Sequence, residues 1–75
     1  MRAEAVLRRI GERIARANVE MQLVSERFVA KWQAEWNEEV DRIVRGDVSI
    51  EDGADSLAGL ASKLSLRSFI EGLVK

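Results

Sequence analysis

The chain has no cysteine, histidine, proline or tyrosine. Without cysteine there are no disulfides, no thiolate nucleophile and no thiolate metal site. Without histidine the usual general base and the commonest metal ligand are missing. An enzyme would have to run on carboxylates, lysine or serine alone, so the residue inventory predicts a non-catalytic protein with no cofactor and no metal. The lack of proline removes the strongest helix breaker. No apolar run approaches the roughly 18 residues of a membrane span. The start, MRAEAVLRRIGERIARA, has neither the apolar segment nor the cleavage site of a secretory signal. Glu4 and Glu12 set it apart from a transit peptide, which points to the cytoplasm.

What is present is a chain of 75 residues, 47% hydrophobic and 33% charged. That is one small domain, near the size at which a single chain struggles to bury enough surface. The net charge of −1 hides a segregation. Residues 1–16 carry five arginines against two glutamates, and residues 35–55 carry eight acids against two arginines.

From Ala3 to Val44 the only glycine is Gly11. Apolar residues recur at Leu7, Ile10, Ile14, Ala17, Met21, Val24 and Phe28, a three-four alternation that reads as a heptad seam. The spacing predicts one long amphipathic helix over about residues 3–45, roughly 65 Å at 1.5 Å per residue. After Phe28 the steps to Trp32, Trp36 and Val40 are each four, so the stripe swings around the helix and calls for more than one neighbour. In RGDVSIED, Gly46 suits a left-handed cap and Ser49 an N-cap with Asp52 three residues on, which places a turn at 46–49. A helix over about 50–63 follows, with Ile50, Ala54, Leu57, Ala61 and Leu64 on one face. Leu66, Phe69, Ile70, Leu73 and Val74 fall on the opposite side, and Ser65 can cap a new start, so a short helix over about 66–74 is expected. One straight helix over 50–74 is the alternative, and it would need partners on both sides. No period-two alternation signals a strand.

The fold class is therefore all-α: a long N-terminal helix with one or two short helices folding back as a helical hairpin, completed by oligomerisation. A folded-back helix of about 14 residues spans about 21 Å and covers the long helix only down to about residue 30. Leu7, Ile10, Ile14 and Met21 would then need cover from another chain. The expected partner-binding residues are Leu7, Ile10, Ile14, Met21, Val24, Phe28, Trp32 and Trp36, the two tryptophans joining the seam to the hairpin. Gly11, Asn18 and Ser25, seven apart, either mark a line where a second helix approaches closely, with Asn18 helping to fix register, or merely edge the seam and face water. The function this predicts is a helical protein–protein interaction module, self-associating or a small subunit of a larger complex. The charge segregation predicts antiparallel pairing, with Arg8, Arg9, Arg13 and Arg16 brought near Glu35, Glu38, Glu39 and Asp41.

The alternative function is a small DNA-associated regulator. Arg2, Arg9, Arg13, Arg16, Arg27 and Lys31 share one face of a continuous helix, and phosphate contact would fall to Arg9, Arg13 and Arg16. No aromatic is interleaved for base stacking. LAGLASKLSLRSFIEGLV resembles a helix-turn-helix in outline, with Arg67 and Lys75 as the cations of its second helix. IVRGDVSIEDGADSL is similar to the helix–turn–helix of the exodeoxyribonuclease VII small subunit family, over 15 residues of generic cap chemistry that carry over no functional residue. The acid pairs Glu38/Glu39 and Asp52/Asp55 read as solvated charge, because they lack the spacing and glycine of a calcium loop.

Overall fold

The structure, a computed structural model, describes the backbone of residues 2–74. The side chains of Arg2, Ser68, Phe69 and 71–74, and all of Met1 and Lys75, lie outside the described residues. So the expected outward placing of Phe69, Leu73 and Val74, and the part assigned to Lys75, fall there too.

Three helices follow one another: α1 (Arg2–Glu20), α2 (Glu26–Arg45) and α3 (Ile50–Val74). Among the described residues there is no strand. Both α1 and α3 pack on α2, and contact between the two outer helices is slight. The long helix expected over residues 3–45 is not formed, because the chain reverses at residues 21–25. Its physical cause is a six-residue cap. The Leu23 amide donates to the Asn18 carbonyl at 2.9 Å and the Gln22 amide to the Val19 carbonyl at 2.9 Å, the paired bonds of a Schellman motif. Gln22 takes the left-handed conformation this requires, φ 57°. Ser25 then starts α2, its hydroxyl accepting from the Phe28 amide at 3.2 Å. The longest dimension is 41 Å rather than a rod of about 65 Å.

The second turn repeats the design. The Gly46 amide donates to the Ile43 carbonyl and the Asp47 amide to the Arg42 carbonyl, with Gly46 left-handed at φ 81°. Ser49 accepts from the Asp52 amide at 3.1 Å. Beyond it, α3 runs unbroken to Val74, so the separate helix expected over 66–74 is not formed and the alternative of one helix over 50–74 is. Ser65 lies exposed within α3 and caps nothing. With no proline or glycine between Leu60 and Ile70, nothing forces a break there.

The core gathers on α2. Val29, Trp32, Trp36 and Val40 are buried with Ala15, Val24, Leu57 and Leu64, and Leu7, Ile14, Val19, Phe28, Ile43, Leu60 and Ala61 pack around them. The four-residue steps along α2 let one stripe serve two neighbours. Trp36 Nε1 donates to the Leu7 carbonyl of α1 at 2.9 Å, and Trp32 Nε1 donates to the Leu60 carbonyl of α3 at 2.7 Å. Two glycines allow the close approach. A methyl group on Gly11 would sit 2.5 Å from the Trp36 ring, and one on Gly53 would run into Ile43 Cγ1.

Candidate partner-binding surface

Folding the heptad back on itself sorts the expected partner residues into three groups. Trp32 (1% exposed), Trp36 and Val24 are core. Leu7, Ile14 and Phe28 are half-buried and pack against that core. Ile10 and Met21 stay exposed, Met21 at 67%. Within one chain the eight do not share one open face, since Leu7 and Ile14 of α1 pack against the core that α2 carries while Ile10 does not. Large aromatics are good interface anchors, but here each tryptophan is consumed by an internal contact.

The flanking residues find internal roles as well. Gly11 receives the Trp36 ring. Asn18 Nδ2 donates to the Ile14 carbonyl at 2.8 Å, near the end of α1, and Ser25 caps α2. The charge layout also acts within the chain. Arg8 bonds Asp41 across the α1–α2 hairpin and Glu4 one turn back at 3.0 Å. The Arg8 guanidinium is held above its ordinary pKa, first by the hydrogen bond to Glu4, then by the Asp41 charge, with partial desolvation opposing. Arginine is charged at any working pH in any case, so the contact acts as a fixed clamp.

Arg9, Arg13 and Arg16 are exposed on the side of α1 turned away from α2. The chain reversal removes Arg27 and Lys31 from that row and puts them on α2. Between α2 and α3 lies an open groove of about 430 Å³ lined by Glu35, Glu38, Glu39, Arg42 and Lys63. Lys63 of α3 pairs across it with Glu35, and Arg42 pairs with Glu39 one turn back on α2, both at 3.5 Å. Among the described residues no three acidic side chains converge as metal ligands would. None of the helices, over the described residues, is long and apolar enough to cross a membrane.

Large apolar side chains are left uncovered on both outer helices, Val6 and Ile10 on α1 and Ile50, Leu66 and Ile70 on α3, where the sequence pattern already set Leu66 and Ile70 opposite the inward face. The inward side of α3 carries Leu57 and Leu64, both buried. About 180° around the helix from these, Leu66 is 61% exposed, and Ile70 is exposed on the neighbouring flank. Ile50, at the first turn of α3, is 81% exposed. The available signal was the phase break near Ser62–Ser65: a phase break without a helix break leaves one end of the helix apolar on its outer side. Arg67 sits 5.3 Å from the Phe28 ring centroid, so this end of α3 is oriented by a cation–π contact. Comparison with protein-family models, with curated proteins and with solved structures finds no match for this chain.

Proposed function

We propose that the chain is a non-catalytic helical interaction module that associates with further copies of itself, a small helical subunit rather than an enzyme. The observation that carries this reading is the outer side of α3. Leu66 and Ile70 remain in water after the chain has built its own core. A single exposed leucine is ordinary, but apolar residues over successive turns of one helix favour burial against another helix. The missing histidine, cysteine and tyrosine support the non-catalytic part. Sedimentation velocity over a concentration series is the test. The expected result is concentration-dependent association that Leu66→Glu with Ile70→Glu weakens at least tenfold, with helicity retained. A monomer at every concentration would overturn it.

One observation favours a second reading, a DNA-associated regulator. Arg9, Arg13 and Arg16 point outward from α1 together. Phosphate binding through them would weaken steeply with salt, whereas apolar association would not. Titration of labelled duplex DNA at two salt concentrations separates the two.

A further inference from the structure

We propose that α1 is exchangeable between copies: the turn at 21–25 opens into helix, and a second copy of this chain supplies the α1 that packs on each α2. This rests on the self-association reading above and adds to the contact through the outer side of α3 a second one, between α1 of one copy and α2 of the other. Four observations carry it.

The closed turn depends on a non-glycine residue in the left-handed region, Gln22 at φ 57°, which costs an L side chain free energy that glycine would not lose. The segment ANVEMQLVSERF, residues 17–28, holds no glycine or proline. Its Ala17, Met21, Val24 and Phe28 keep the heptad spacing begun at Leu7, so the opened segment is a regular continuation of one amphipathic helix. The α1–α2 contacts are antiparallel and centred on the turn: Trp36 with Leu7 and Gly11, Arg8 with Asp41. Two opened chains crossing near residues 22–23 remake every one of them with the other copy, and α3 stays on its own α2. Finally, Met21 and Gln22 are exposed in the closed turn, so straightening it uncovers neither, and the crossing gives Met21 a partner. Short, strained hinges are the usual route to exchanged dimers.

The chain's lack of cysteine makes the test clean. Chains spin-labelled at Ala5→Cys and chains spin-labelled at Glu38→Cys, both exposed positions, are unfolded together and refolded at high protein concentration. Exchange predicts a short 5-to-38 distance between chains and a long 5-to-5 distance. Because each dimer contains two turns, Gln22→Ala should shift the dissociation constant a few-fold toward dimer through helix propensity, and Gln22→Gly about tenfold or more toward monomer. Dimers without a short inter-chain 5-to-38 distance overturn the exchange, as does association unchanged in both Gln22 variants. If association is instead lost only in Leu66→Glu, the exchange fails and the interaction reading stands. Absence of dimer in Gln22→Ala at every concentration also overturns the exchange.

Discussion

Both turns close with the same pair of backbone hydrogen bonds and both lead into a Val-Ser pair, yet only one carries glycine at the left-handed position. Gln22-Leu23-Val24-Ser25 and Gly46-Asp47-Val48-Ser49 match residue for residue in role. The glycine turn is stable through its own backbone. The glutamine turn is held by what surrounds it, above all Val24, which is buried where Val48 is only partly so. A turn can therefore be specified locally or by the helices it joins, and the second kind gives way when those helices find other partners.

The largest effects should come from removing what each turn relies on across the hairpin. Trp36→Ala and Trp32→Ala should each cost about 3–5 kcal/mol, a large share of the stability of so small a domain. Hydrogen exchange should show α1 losing protection first in Trp36→Ala and α3 in Trp32→Ala. Equal loss in both helices would mean that the two hairpins are one cooperative unit.

Next come the glycines under the crossings. Gly11→Ala drives a methyl group into the rigid Trp36 ring and should cost about 1–3 kcal/mol by urea denaturation. Gly53→Ala drives its methyl group into Ile43 Cγ1, which a β-branched residue in a helix can move little, so a comparable cost is expected; the helix-propensity gain of up to about 1 kcal/mol offsets part of it at both positions.

The turns themselves should respond with opposite sign. Gly46→Ala should destabilise by about 1–2 kcal/mol, and Gln22→Gly should stabilise by about 1 kcal/mol, since glycine enters the left-handed region without the side-chain clash. Thermal midpoints of the two variants, read at low concentration, check this. Two shifts of the same sign would show that the turns are not equivalent.

The smallest changes are expected at the caps. Ser25→Ala and Ser49→Ala should each cost about 0.5–1 kcal/mol. A markedly larger loss at Ser25 would show that the first turn leans on its cap more than the second does.

The same contrast explains what could be read from the residues alone. The turn at 46–49 is legible because glycine, serine and the acids of the first turn of α3 all agree on it. The turn at 21–25 is not legible, because glutamine is no signal for a left-handed residue and the heptad runs through it in phase. Antiparallel pairing of the arginines of α1 with the acids of α2 is written in the charge layout, and Arg8 with Asp41 realises it inside one chain. Charge cannot say whether the partner segment is in the same molecule, since both arrangements place the same groups together. The eight-residue seam could not be divided from sequence for that reason: part of a stripe too long for α3 to cover packs against the other half of itself, while Ile10 and Met21 stay exposed. The continuity of α3 stood only as the alternative because serine at 65 suits a cap and an exposed helical position equally.

The tryptophan pair also has an optical consequence. With no tyrosine and only two tryptophans in the chain, near-ultraviolet absorption comes almost wholly from two rings whose centroids lie 5.2 Å apart, inclined at 31°. Transition dipoles that close couple, and the resulting exciton band overlaps the far-ultraviolet region from which helix content is read. A circular dichroism spectrum of this protein thus mixes backbone and indole signals. The indole part vanishes once either ring leaves the core, and it reports the joining of both outer helices to α2 without any added label.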